Sequence, residues 1–118
     1  KEILELVYLD LKGAMMTDMK IVSPKEVHDY AKEKGWWEHD RPVPELLCLI
    51  HSEISEALEA YRNNIPEGEK GCISEELADA VIRIWDMAEY LGIDIAEAVN
   101  KKHEYNLTRP YRHGNKKC

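Results

Sequence analysis

The chain has no run long and apolar enough to span a membrane or act as a secretory leader. In its first twenty residues, Leu4, Leu6, Val7, Leu9 and Leu11 are interrupted by Lys1, Glu2, Glu5, Asp10 and Lys12. The expected location is therefore the cytoplasm. Cysteine is scarce: Cys48, Cys72 and Cys118 form an odd set without framework spacing, which argues against a disulfide scaffold and for free thiols. Cys48-x-x-His51 has no second ligand pair at zinc spacing, so zinc is set aside and Cys48 reads as a small core residue. No segment alternates with the period of a strand, and there is no internal repeat, low-complexity tract or second domain. With 118 residues, 44% of them hydrophobic, the chain suits one small domain. Limited core at that size makes association with a second copy an expectation.

Bases are scarce in the middle of the chain. Between Glu45 and Glu97 there are thirteen acids against three bases (Arg62, Lys70, Arg83), a local net of −10. From Ala98 onward six bases face Glu104 alone, a local net of +5. The acidic middle argues against binding long nucleic acid, which needs a broad basic surface. A small anionic ligand stays compatible if metal ions screen the acids and the basic tail grips it. The plainer alternative is an acidic surface with an ordinary basic tail.

What the chain does have is helical periodicity. Ser23 caps a helix with Pro24 at its first position and Glu26 in capping-box register, and Gly35 stops it. Trp36 to Pro44 reads as a loop. From about Glu45 to Tyr61, Leu46, Leu49, Ile50, Ile54, Ala57, Leu58 and Tyr61 recur at helical spacing. After a loop from Asn63 to Gly71, Ser74 is the expected cap of a third helix. Its predicted stripe is Leu77, Ala78, Val81, Ile84, Trp85, Ala88 and Leu91, and Gly92 ends it. Asp94, with Glu97 three residues on, caps a fourth helix that runs to about Leu107, before Pro110. The fold class expected is all-α, an antiparallel four-helix bundle over residues 21–118. Gly13 and the methionines 15, 16 and 19 break any periodic pattern in residues 1–20, which are an arm, an extra helix or leader sequence before a downstream Met.

Two acid pairs carry the chemistry. Glu53-x-x-Glu56 and Glu76-x-x-Asp79 each place two carboxylates on one helical face. Glu53 interrupts the apolar face of its helix, and a buried unpaired carboxylate costs several kcal/mol, so a compensating charge is expected beside it. In the third helix Asp79–Arg83 and Arg83–Asp86 are also spaced for ordinary surface ion pairs. Two acid pairs on consecutive helices are how carboxylate metal sites are built in bundles. The Glu-x-x-His pattern of di-iron sites is missing, and all-oxygen ligation favours Mg²⁺, with Mn²⁺ as substitute.

The stretch His51-Ser52-Glu53-Ile54-Ser55-Glu56-Ala57-Leu58-Glu59-Ala60 and the stretch Glu75-Glu76-Leu77-Ala78-Asp79, running to Leu91-Gly92-Ile93-Asp94, resemble the MazG-like all-α nucleoside triphosphate pyrophosphohydrolases. Lys102-x-x-x-Asn106-x-x-Arg109-Pro110 is similar to the family's downstream phosphate-binding segment. The likeness spans roughly residues 24–113. It implies a helical bundle forming dimers or tetramers, with Mg²⁺ held by Glu53, Glu56, Glu76 and Asp79. It also implies cleavage of a nucleoside triphosphate between its α and β phosphates, with Glu53 or Glu56 activating water.

Lys102, Asn106 and Arg109 share one helical face suited to phosphates, although bases near a helix C-terminus also complement its dipole. Tyr111, Arg112 and His113 are candidates to extend that face. Trp36 and Trp37 are candidates to stack on a base, with His39 and Asp40 as polar neighbours; the alternative for the tryptophans is a plug between helices. The function expected is a Mg²⁺-dependent nucleotide pyrophosphohydrolase, a homodimer or homotetramer acting on non-standard or surplus deoxynucleoside triphosphates. Its rivals are a phosphoribosyl-ATP pyrophosphohydrolase and a non-catalytic helical module.

Overall fold

Ser23 opens the first helix of the computed structural model, which describes residues 21–118. Its hydroxyl accepts from the Glu26 amide at 3.1 Å and donates to the Glu26 carboxylate at 3.3 Å. That start, with Pro24 behind it, sets α1 at Pro24–Glu33. Helix α2 spans Val43–Arg62, α3 spans Ile73–Tyr90 and α4 spans Ile95–Leu107. A single turn, Arg112–Asn115, follows, with His113 and Gly114 in the left-handed region. Among the described residues there is no strand, so the architecture is all-helical. The readings made for residues 1–20 lie outside the described residues.

The helix ends follow from local chemistry. The chain leaves α1 through Gly35 at φ 89°, with the amides of Gly35 and Trp36 donating back to Lys32 and Ala31. Gly92 does the same after α3, at φ 71°, with Ile93 donating to Ala88 at 2.8 Å. This is the Schellman arrangement, in which a residue without a Cβ takes the left-handed position. Asp94 caps α4 by accepting from the Glu97 amide at 3.0 Å. Two starts differ from expectation. Helix α2 begins two residues early, at Val43, because Pro44 fits the first turn. Helix α3 is entered from Cys72, not Ser74: Cys72 is buried, which fixes the chain one residue before the helix begins.

Helix α3 is the hub. Helices α1 and α2 both pack along it, and α4 touches it only lightly. Glu53 of α2 meets Arg83 of α3, while Glu56, one turn on, meets Glu76, nearly two turns back. Advancing along one helix therefore retreats along the other, and α2 and α3 run antiparallel.

The buried faces are narrow and built from small residues. Leu46, Glu53, Ala57 and Ala60 are buried on α2, and Ala80 and Ala88 on α3. The small alanine side chains let the helices approach closely. Larger residues expected in the core stand outside it: Ile54, Leu58 and Tyr61 on α2, and Leu77, Val81 and Leu91 on α3, are exposed. On α2 the exposed set Leu47, Ile54, Leu58, Tyr61 copies the spacing of the buried set Leu46, Glu53, Ala57, Ala60, displaced by one residue. The helix thus carries two adjoining seams; among the described residues one is buried and the other is exposed.

Candidate metal centre

Glu53 sits at the middle of α2 on the seam facing α3, and only 7% of it is exposed. Its compensating charge is Arg83, whose Nε donates to Glu53 Oε1 at 2.7 Å. Arg83 thus reaches across to α2; its ion pair is not one of the two that the spacing along α3 suggested, with Asp79 or Asp86. The other oxygen, Oε2, is sealed from solvent and has no hydrogen-bond partner. A carboxylate oxygen left in this state costs more than a paired one, because it has lost water without gaining a donor.

Glu76 and Asp79 present carboxylate oxygens from the first two turns of α3. One oxygen each from Glu53, Glu76 and Asp79 lie within 4.8 Å of one another, and both α3 acids are half-buried. Glu56 closes the group from the exposed side. Its carboxyl is held above the ordinary glutamate range by the neighbouring Glu53 carboxyl first and Glu76 second, both of which favour its protonated form. All four acids named from the sequence are therefore neighbours.

Three features fit a hard divalent cation here: an all-oxygen donor set, an excess of negative charge over the single Arg83, and a desolvated oxygen that lacks a donor. The donor set carries no nitrogen or sulfur, which agrees with Mg²⁺ or Mn²⁺ and disfavours softer metals.

Beside the acids lies a cavity of about 690 Å³. Glu53, Asp79 and Arg83 contribute polar lining, while Val27, Tyr30 and Trp36 contribute apolar and aromatic lining. The two tryptophans part company here. Trp37 stacks on Tyr90 at 4.4 Å, meets His28 edge-on at 5.2 Å and donates its Nε1 proton to Asp86 at 3.0 Å. It fills the space between the loop, α1 and α3. Trp36 is 64% exposed and lines the cavity. His39 and Asp40 are exposed and do not line it.

Residues not singled out in the sequence support this wall. Asp86 is the shared acceptor: His28 Nδ1 lies 2.6 Å from Oδ1, and the Arg41 guanidinium 3.8 Å from Oδ2. Arg41 also stands 5.0 Å from the Trp37 ring and 5.9 Å from the Trp36 ring, and it lines the cavity. Asp86 was visible only as an ion-pair partner for Arg83 along α3. Nothing in the sequence joined it to His28 and Arg41, fifty-eight and forty-five positions earlier.

The basic face of α4 lies apart. Lys102 and Arg109 flank Tyr105, at 4.6 Å and 5.8 Å from its ring, and Lys102 and Asn106 line a shallow groove on α4 itself. Neither they nor Arg109 line the acid-edged cavity. Tyr111 and His113 are exposed, and Arg112 donates to the Lys117 carbonyl at 2.9 Å, tying the tail to itself.

No helix among the described residues is long and apolar enough to cross a membrane. Compared with models of protein families, with curated proteins and with solved structures, the chain matches none.

Proposed function

We propose that this protein is a Mg²⁺-dependent nucleoside triphosphate pyrophosphohydrolase of the MazG-like type, releasing pyrophosphate and a nucleoside monophosphate. The observation that carries the reading is the convergence of Glu53, Glu56, Glu76 and Asp79 around a buried oxygen with no donor, at the edge of an aromatic-lined cavity. Glu53, Glu76 and Asp79 would hold the cation, with Glu56 at the exposed rim. A bound divalent ion supplies charge neutralisation for a polyphosphate and a more acidic water.

The chain's own residues supply the rest. Glu56 faces solvent beside the three ligands, which suits it to take a proton from an attacking water; Glu53, pinned by Arg83, suits ligation better than proton transfer. Trp36, exposed over the cavity and followed by Arg41, is the surface on which a base would stack. The wall behind it, which includes Trp37 and Arg41, is held by the Asp86 network.

The proposal includes assembly of copies as a four-helix arrangement. The second seam of α2, and the exposed Ile73, Leu77 and Val81 of α3, supply apolar surface of the kind that a partner helix pair covers. Lys102, Asn106 and Arg109 keep the role of phosphate ligands in this reading, and they would reach the acids of another copy in the assembly. The cytoplasm, where nucleotides and Mg²⁺ abound, is the proposed location.

Pyrophosphate release from ribo- and deoxyribonucleoside triphosphates and phosphoribosyl-ATP, with Mg²⁺ and with EDTA, tests the reading. Metal-dependent release is expected, and the preferred substrate separates the two pyrophosphohydrolase alternatives. Absence of release across the panel from folded protein would overturn the enzymatic reading in favour of a binding module.

A further inference from the structure

Arg83 is an unusual neighbour for a cation site, since it places a fixed positive charge against one of the ligands. Arginine commonly grips a carboxylate with two parallel hydrogen bonds. Here the structure shows one, from Nε to Oε1 of Glu53 at 2.7 Å, while Oε2 stays sealed and without a donor. Glu53 is nine-tenths buried, whereas the Arg83 side chain is 35% exposed and lines the cavity. The guanidinium therefore neutralises the buried acid from its solvent side without consuming the oxygen that a cation would need.

We propose that Arg83 is the resident counter-ion of the acid cluster, which keeps the site folded while no metal is bound and so lowers the affinity for the divalent cation. The proposal rests on the reading of the cluster as a cation site. With four carboxylates ionised, the cluster and Arg83 together carry −3; without Arg83 the same cluster carries −4. A divalent cation and Arg83 thus neutralise the same acids and weaken each other. The consequence is a site that tolerates metal loss and takes up metal at a higher threshold than its acids alone would set.

The test uses Mn²⁺ as probe, with wild type, Arg83→Met and Arg83→Lys, read by calorimetric titration and by melting in EDTA and in saturating Mn²⁺. Arg83→Met is expected to melt below wild type in EDTA and to recover most of that difference in Mn²⁺. Its Mn²⁺ dissociation constant is expected to fall by on the order of tenfold, the size of the repulsion between a single and a double charge a few ångströms apart in water. Arg83→Lys keeps the charge and should stay near wild type in both respects. Equal destabilisation of Arg83→Met in both buffers, failure to fold in either, or unchanged Mn²⁺ affinity would overturn the proposal. So would a lysine variant that behaves like the methionine one. A wild type that binds no Mn²⁺ would remove the cation-site reading itself, and this inference with it. A wild type that binds, beside an unaltered variant, removes only the role of Arg83.

Discussion

At the scale of single residues, the acids divide by burial. Glu53 is buried and paired, Glu56 is exposed and crowded by like charge, and that difference separates the roles proposed for them. Glu53→Gln keeps shape and removes the charge of a proposed ligand, so pyrophosphate release should fall by on the order of a hundredfold with the helical circular dichroism unchanged; retained activity would end its assignment. Glu56 gives a pH prediction. Its pKa is raised in the fold, so its favourable contribution is complete below the ordinary glutamate range and is lost as pH rises through the raised value. In EDTA at neutral pH, Glu56→Gln should therefore melt above wild type. Below the ordinary glutamate range, where both forms are neutral, the two melting curves should converge. The tryptophans give a contrast of the same kind. Trp37→Ala loses the Tyr90 stack and the Asp86 bond and should cost about 3 kcal/mol in chemical denaturation. Trp36→Ala should leave stability near wild type and weaken nucleotide binding, measured by fluorescence titration.

At the scale of elements, the helix ends were largely legible because caps are local. Ser23, Gly35, Gly92 and Asp94 act within four residues of themselves, through one hydrogen bond or one left-handed backbone position. Asp94→Ala should cost about 1 kcal/mol, seen as earlier fraying of α4 in hydrogen exchange, with α2 and α3 protected as before. The start of α3 was misplaced because Cys72 is fixed by burial against the rest of the fold, and no local signal marks that. The end of α2 turns through Asn64 at φ 52°, where asparagine does the work of glycine.

At the scale of the whole molecule, the exposed second seam is the surface on which the proposed assembly rests. Its large residues make up for a core whose buried members are mostly alanines, and a lone chain leaves them in water. In the proposed assembly, Leu58→Glu, on that seam and away from the acids' face, should shift the protein toward monomer in light scattering coupled to gel filtration. The proposed contribution of the α4 bases across copies has its own check. Mixed after subunit exchange, Glu53→Gln and Arg109→Ala chains should recover activity that neither has alone.

The sequence by itself determined the helices, most of their ends and the two acid pairs, because each depends on residues within a few positions along one helix. It also marked Glu53 as an acid on an apolar face. Only the tertiary structure decided which charge answers it, which seam of α2 is covered and which tryptophan is free. Those are contacts between elements: Arg83 lies thirty positions from Glu53, and Asp86 forty-nine from Trp37. Periodicity gives the faces of a helix, but the choice between two adjoining faces is made only when α2 packs on α3, which leaves Ala57 and Ala60 buried and Leu58 and Tyr61 exposed.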